Sequence, residues 1–268
     1  MAMNNPAFTR NSAFTSAGYA TPAQDTVSPQ QLQDIYDRPA TLPDREVMTF
    51  ENTIAKTLGA FAVLLVSAAF AWATAEQFPA IVLIGGVVGL VLGLVNVFKR
   101  EPSPALILAY AAAEGLFVGG ISSFFEAQWA GIVAQAVIAT LVVFGVTFAL
   151  FASGKIRASA RATKIFLIAV VGYMVFSLVN IVLMVTGATD NAWGLRGATI
   201  AGIPLGIVLG VLVVLLAAYS LVLDFDFIQK GVQNRLPKKY GWTGAFGIVM
   251  TVIWLYLEIL RMLAIARD

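Results

Sequence analysis

Seven apolar stretches, each close to the ~20 residues a helix needs to cross the hydrocarbon of a bilayer, constrain this chain more than any other feature. They run Thr57 to Ala75, Pro79 to Phe98, Pro104 to Phe124, Trp129 to Ala152, Lys164 to Thr186, Ile200 to Leu223 and Gly241 to Leu263. A backbone in lipid must satisfy its own N–H and C=O groups, so runs of this length predict helices. The breaks are sharp. Glu76-Gln77-Phe78-Pro79, Lys99-Arg100-Glu101-Pro102, Glu126-Ala127-Gln128 and Asp190-Asn191 interrupt the pattern with charge, amide or proline, and two basic loops, Ser153 to Arg161 and Lys230 to Lys239, complete the set. With 59% hydrophobic and 12% charged residues, the chain is far more apolar than a soluble domain needs. It reads as an all-α membrane protein, a seven-transmembrane-helix bundle over residues 46–268. Residues 1–45 carry Pro6, Pro22, Pro29, Pro39 and Pro43 among Asn, Ser, Thr and Gln, and read as a disordered polar tail with no apolar segment of the secretory kind. Glu46 to Lys56 reads as a short amphipathic lead-in to the first span.

Charge sets an expected orientation. With alternating crossings, Arg10, Arg38, Arg45, Lys56, Lys99, Arg100, Lys155, Arg157, Arg161, Lys164, Lys230, Arg235, Lys238 and Lys239 fall on one side, and Arg196, Arg261 and Arg267 on the other. Fourteen of the 17 cations on one side predicts that side, with the N-terminus, to be cytoplasmic. Six spans, with the last segment re-entrant, is the rival count. Small residues at four-residue spacing, Gly85, Gly89 and Gly93, Gly115 and Gly119, and Gly206 and Gly210, predict close approach of neighbouring helices within the bundle.

Polar groups inside the spans are the candidate functional residues, because charge in hydrocarbon is costly. Glu114, ten residues past Pro104, falls about 15 Å into the third span at 1.5 Å per residue. It reads equally as a transport group and as a neutral acid bonded to a neighbouring helix. Asp224 closes the sixth apolar run at the inner face, and Asp226 marks the exit from the membrane. Glu258, 17 residues past Gly241, lies about 25 Å across, too far to meet Asp224. Glu258 and Arg261, three apart, can satisfy each other. Gln135 and Asn180 read as interhelical hydrogen-bonding groups, and Ser220 as bonded to its own helix. The chain has no Cys and no His, so any metal ligand must be oxygen, with Asp224 the candidate, which suits hard cations such as Ca²⁺. No catalytic constellation is visible and no resident cofactor is expected, so an enzyme is the weakest reading.

Three patterns resemble a known family: Ala109-Tyr110-Ala111-Ala112-Ala113-Glu114-Gly115-Leu116-Phe117-Val118-Gly119, Leu223-Asp224 with Ile228, and Trp254 to Leu263, WLYLEILRML. Together they resemble the Bax inhibitor-1 family, in its bacterial YccA-like branch. That resemblance implies a seven-helix bundle with the last helix central, in a bacterial inner membrane. It also implies a pH-sensitive calcium leak in which an Asp ending the sixth helix pairs with an Asp on the seventh. Asp224 matches the first. Anchoring the seventh helix on Arg261 puts Thr251 in the place of the second, so the proton-sharing pair is incomplete and weaker pH gating is expected, with Lys230 or another inner-face base as a partner for Asp224. The expected function is a passive cation pathway involving Asp224, Glu114, Thr251, Glu258 and Arg261, with Ca²⁺ as permeant ion. A regulator of a membrane protease or other membrane-protein partner, acting through the N-terminal tail, is the alternative. Beyond the lipid bilayer itself no partner is specified, and no nucleic acid is expected.

Overall fold

The computed structural model describes residues 46–268; the tail over residues 1–45 lies outside the described residues. Seven helices form: α1 Phe50–Thr74, α2 Ala80–Phe98, α3 Pro104–Gln128, α4 Ile132–Ala152, α5 Ala160–Val185, α6 Leu205–Gln233 and α7 Gly241–Arg267. All seven are long and apolar enough to cross a membrane. Below, the end of the bundle that holds the start of α1 is the basic face, and the other end is the opposite face.

Several boundaries differ from those expected, each for a local reason. Thr49 caps α1, its hydroxyl accepting from the Asn52 N–H at 3.1 Å, so the expected lead-in is the first part of the helix itself. Ser159 caps α5 in the same way, accepting from Ala162 at 3.2 Å, which starts that helix at Ala160 and not at Lys164. At the sixth segment, Thr199–Ile200 and Ile203–Pro204 pair as a minimal antiparallel hairpin. Its two turn residues, Ala201 (φ 53°) and Gly202 (φ 83°), are both left-handed, the geometry a two-residue hairpin demands. The apolar run therefore starts as a hairpin, and α6 begins only at Leu205. At its other end α6 continues past Leu223 to Gln233, its polar last turns supported by an Asp226–Lys230 ion pair (2.6 Å) at i, i+4.

Burial identifies the organising element. In α7, fifteen of 27 residues are buried, whereas in α5 only Asn180 is. The last helix is thus central, packed by α6, α1, α4 and α3. Glycines set the close approaches. A Cβ on Gly119 would run into the backbone of Ala68 on α1, one on Gly85 into the backbone of Ala113 and Phe117 on α3, and one on Gly210 into Met262 on α7. The glycine spacing thus serves packing inside the bundle. On the basic face, Met48 N–H donates to Leu236 C=O and Lys238 N–H to Glu46 C=O, both at 2.7 Å. That strap ties the entry of α1 to the α6–α7 connection and buries Met48 almost completely (1% exposed).

Candidate functional site

The position of Asp224 follows from the extra length of α6. Because the helix runs on to Gln233, Asp224 is not its terminal residue at the inner mouth but an interior one. Its carboxylate faces α7, where Thr251 Oγ1 donates to Asp224 Oδ2 at 2.7 Å. Thr251 lies ten residues past the start of α7 at Gly241, about 15 Å in from the basic face. The expected mouth residue is therefore near the middle of the span. Gly247, one turn before Thr251, leaves the space that the carboxylate fills; a Cβ there would fall on Asp224 Oδ1. Ser220, one turn before Asp224, shares a 3.2 Å hydrogen bond with Thr251 Oγ1. Ser220 was expected to bond its own helix and instead crosses the seam. Lys230 was the expected counter-charge; it pairs with Asp226. Among the described residues, Asp224 has no cationic partner.

Glu114 stands at a similar depth on α3, about 15 Å past Pro104. Ten residues into α3, it packs against Gly89 of α2, and its carboxylate occupies the space that a side chain there would need. It makes no hydrogen bond among the described residues, so the interhelical bond proposed for it is not made. Its neighbour Tyr110 stacks edge-on against Phe246 of α7 with ring centroids 5.0 Å apart. Glu114 thus packs on α2 and Asp224 on α7, and among the described residues the two acids share no hydrogen-bonding partner.

Glu258 belongs to a third arrangement, about 25 Å from the basic face. Its side chain is 2% exposed and carries two ion pairs, Arg196 Nη1 to Oε1 at 3.3 Å and Arg261 Nη1 to Oε2 at 2.8 Å. Tyr173 of α5 donates its hydroxyl to Glu258 Oε2 at 2.5 Å. Arg196 also donates to Tyr173 Oη (2.9 Å) and Ser177 Oγ (3.0 Å). The Glu258–Arg261 pair was legible from its spacing. Arg196 and Tyr173 were not singled out, although a lone arginine in a long connection with few other charges was the available signal. Of the two residues expected to bond between helices, Gln135 does, its Oε1 accepting from Arg267 of α7 at 2.8 Å, whereas Asn180 Oδ1 accepts from Leu195 N–H in the α5–α6 connection at 2.7 Å.

A cavity of about 750 Å³ opens between α1, α3, α4 and α7, lined by Leu64, Val118, Val137, Thr140, Ile253 and Tyr256 among others. Its few polar groups bond internally, Ser122 to Tyr256 at 2.6 Å and Thr140 to the Ala136 carbonyl at 2.7 Å. None of the candidate acids lines it. The described residues contain no group of three or more acids that could cage a metal ion. At the α6–α7 seam, one carboxylate and two hydroxyls give too few oxygens for a resident Ca²⁺, which takes six to eight, but enough to replace part of a passing ion's water.

Residues 5–268 match the family model described as Bax inhibitor 1 like. No curated protein matches the chain.

Proposed function

We propose that this chain, which belongs to the Bax inhibitor 1 like family, is a passive cation route through a bilayer, with Ca²⁺ as permeant ion and Asp224 as the group that receives it. One observation carries the reading: Asp224 is a carboxylate near mid-span whose sole hydrogen bond among the described residues is the one from Thr251. An acid at the centre of a spanning helix costs about 2.5–3.5 kcal/mol on insertion scales. An interhelical hydrogen bond returns about 0.6–2 kcal/mol. The remaining deficit favours something else at that site, and a transient cation supplies it. Ser220 and Thr251 contribute neutral oxygens beside the carboxylate, hard ligands suited to a hard ion. The three patterns that together resemble the YccA-like branch, and the excess of cations on one face, support placing the chain in a bacterial inner membrane with that face cytoplasmic.

Reconstitution into liposomes loaded with a Ca²⁺ reporter tests the reading. Protein-containing vesicles are expected to admit Ca²⁺ faster than empty ones without any energy source. Equal rates at every pH and ionic gradient tried would refute the route.

A further inference from the structure

Arg196 lies outside the seven spanning helices, yet it is among the most buried charged residues of the bundle (4% exposed). It is carried by a short 3₁₀ turn, Gly194–Gly197, in the connection between α5 and α6. Through this turn we infer that Arg196 is the latch of a lateral gate, holding α5 closed over the polar seam of α6 and α7. The inference deepens the cation reading above and rests on it only for what the opened seam conducts.

Two features of α5 make it the movable wall. Most of its apolar residues face outward, as in Met174 (61% exposed), and only Asn180 is buried, so few apolar contacts, such as Phe166 on Tyr219 of α6, hold it. Lipid is as apolar as another helix, so detaching such a face changes little free energy. What ties α5 down is polar. Near its opposite-face end, Arg196 reaches Tyr173 and Ser177, Tyr173 reaches Glu258, and Asn180 holds the same loop through Leu195 N–H. Near its basic-face end, Thr163 and Tyr219 of α6 share a 3.0 Å hydrogen bond. The first group fastens and the second can serve as a pivot.

α5 meets α7 at Glu258 and Arg261, through the Tyr173 hydroxyl. Gly247, Thr251, Glu258 and Arg261 follow at steps of four, seven and three, so they share one face of α7. Asp224 contacts the basic-face part of that stripe, and the Arg196–Glu258–Tyr173 knot closes the rest. Moving α5 outward withdraws Tyr173 and Ser177 and uncovers the stripe. A tie meant only to be permanent gains little from a buried ion pair, which apolar packing replaces without loss.

The test uses the absence of native cysteine. Spin labels on Met174→Cys and Leu65→Cys, two outward positions on α5 and α1, report the α5 distance, and Leu65→Cys with Leu141→Cys is the control pair. Tyr173→Phe with Ser177→Ala removes the hydrogen bonds from α5 to Arg196, Glu258 and Arg261 while leaving Glu258 paired with both arginines, so no buried charge is orphaned. The expected result is a longer and broader α5 distance, an unchanged control distance and a severalfold rise in Ca²⁺ entry. An α5 distance that stays at the native value in this double variant, with the control intact, overturns the latch. A lengthened α5 distance with no Ca²⁺ entry in any variant upholds the latch and overturns the cation reading instead.

Discussion

Thr251 and Asp224 meet through a single 2.7 Å hydrogen bond, hydroxyl to carboxylate, across the seam between the central helix and α6. A carboxylate in the place of Thr251 would make a proton-sharing pair; a hydroxyl donates to Asp224 but does not ionise, so it shares no titrating proton with it. Replacing it by Asp therefore changes the chemistry of the seam. Two carboxylates in contact give up their protons in two separate steps, and over the pH range between those steps they share one proton. Thr251→Asp is expected to give a Ca²⁺ flux that climbs steeply with pH, against a shallow dependence in the native chain. A pH series of liposome fluxes on the two proteins checks this, and parallel profiles would contradict it.

Glycine positions on neighbouring helices should respond oppositely to alanine. Gly119 faces the backbone of Ala68, which cannot yield, whereas Gly145 on α4 has open space where its Cβ would go. Gly119→Ala should lose about 1–3 kcal/mol through overpacking. Gly145→Ala should be neutral or gain up to about 1 kcal/mol from helix propensity. Thermal unfolding in detergent, comparing both with the native chain, measures the difference.

The strap on the basic face separates burial from charge. Met48 is 1% exposed and packs against Gly231, while Lys239 pairs with Glu101 at 2.9 Å on the surface. Met48→Ala is expected to cost about 2–5 kcal/mol. Lys239→Ala should cost under about 1 kcal/mol, since exposed ion pairs contribute little. Denaturation midpoints of the two variants would rank them, and a larger loss at Lys239 would be inconsistent with the packing described.

The knot around Glu258 gives a sharper expectation. Glu258→Gln leaves Arg196 and Arg261 facing each other without a counter-charge, and breaking a buried pair in this way costs about 3–5 kcal/mol. Adding Arg196→Gln removes one of the stranded charges, so the double variant should recover part of the loss. A double-mutant cycle on thermal stability reads that coupling directly; additive losses would show that the two groups do not act together.

How much of this was legible in the sequence depends on what each feature rests upon. The spans were legible because a bilayer imposes a length on every apolar run, and the place of Thr251 opposite Asp224 followed only from the family resemblance, once α7 was aligned on Arg261. The burial of Asp224 was not. Its helix continues through DFDFIQKGVQ, a stretch too polar to mark as membrane but well able to stay helical through the Asp226–Lys230 pair. Ile200 read as helix because apolar residues do not announce a turn, and Ala201 in a left-handed conformation carries none of the usual Asn or Gly signal. Arg196 escaped because a loop has no period to say which helix its side chain will reach.

The central claim is that the carboxylate of Asp224 handles the ion. Asp224→Asn keeps the shape and can still hydrogen-bond Thr251 but removes the charge, so Ca²⁺ entry into reporter liposomes should fall at least tenfold, with the protein still folded by thermal unfolding. Native-level entry through the folded Asn variant would contradict the account.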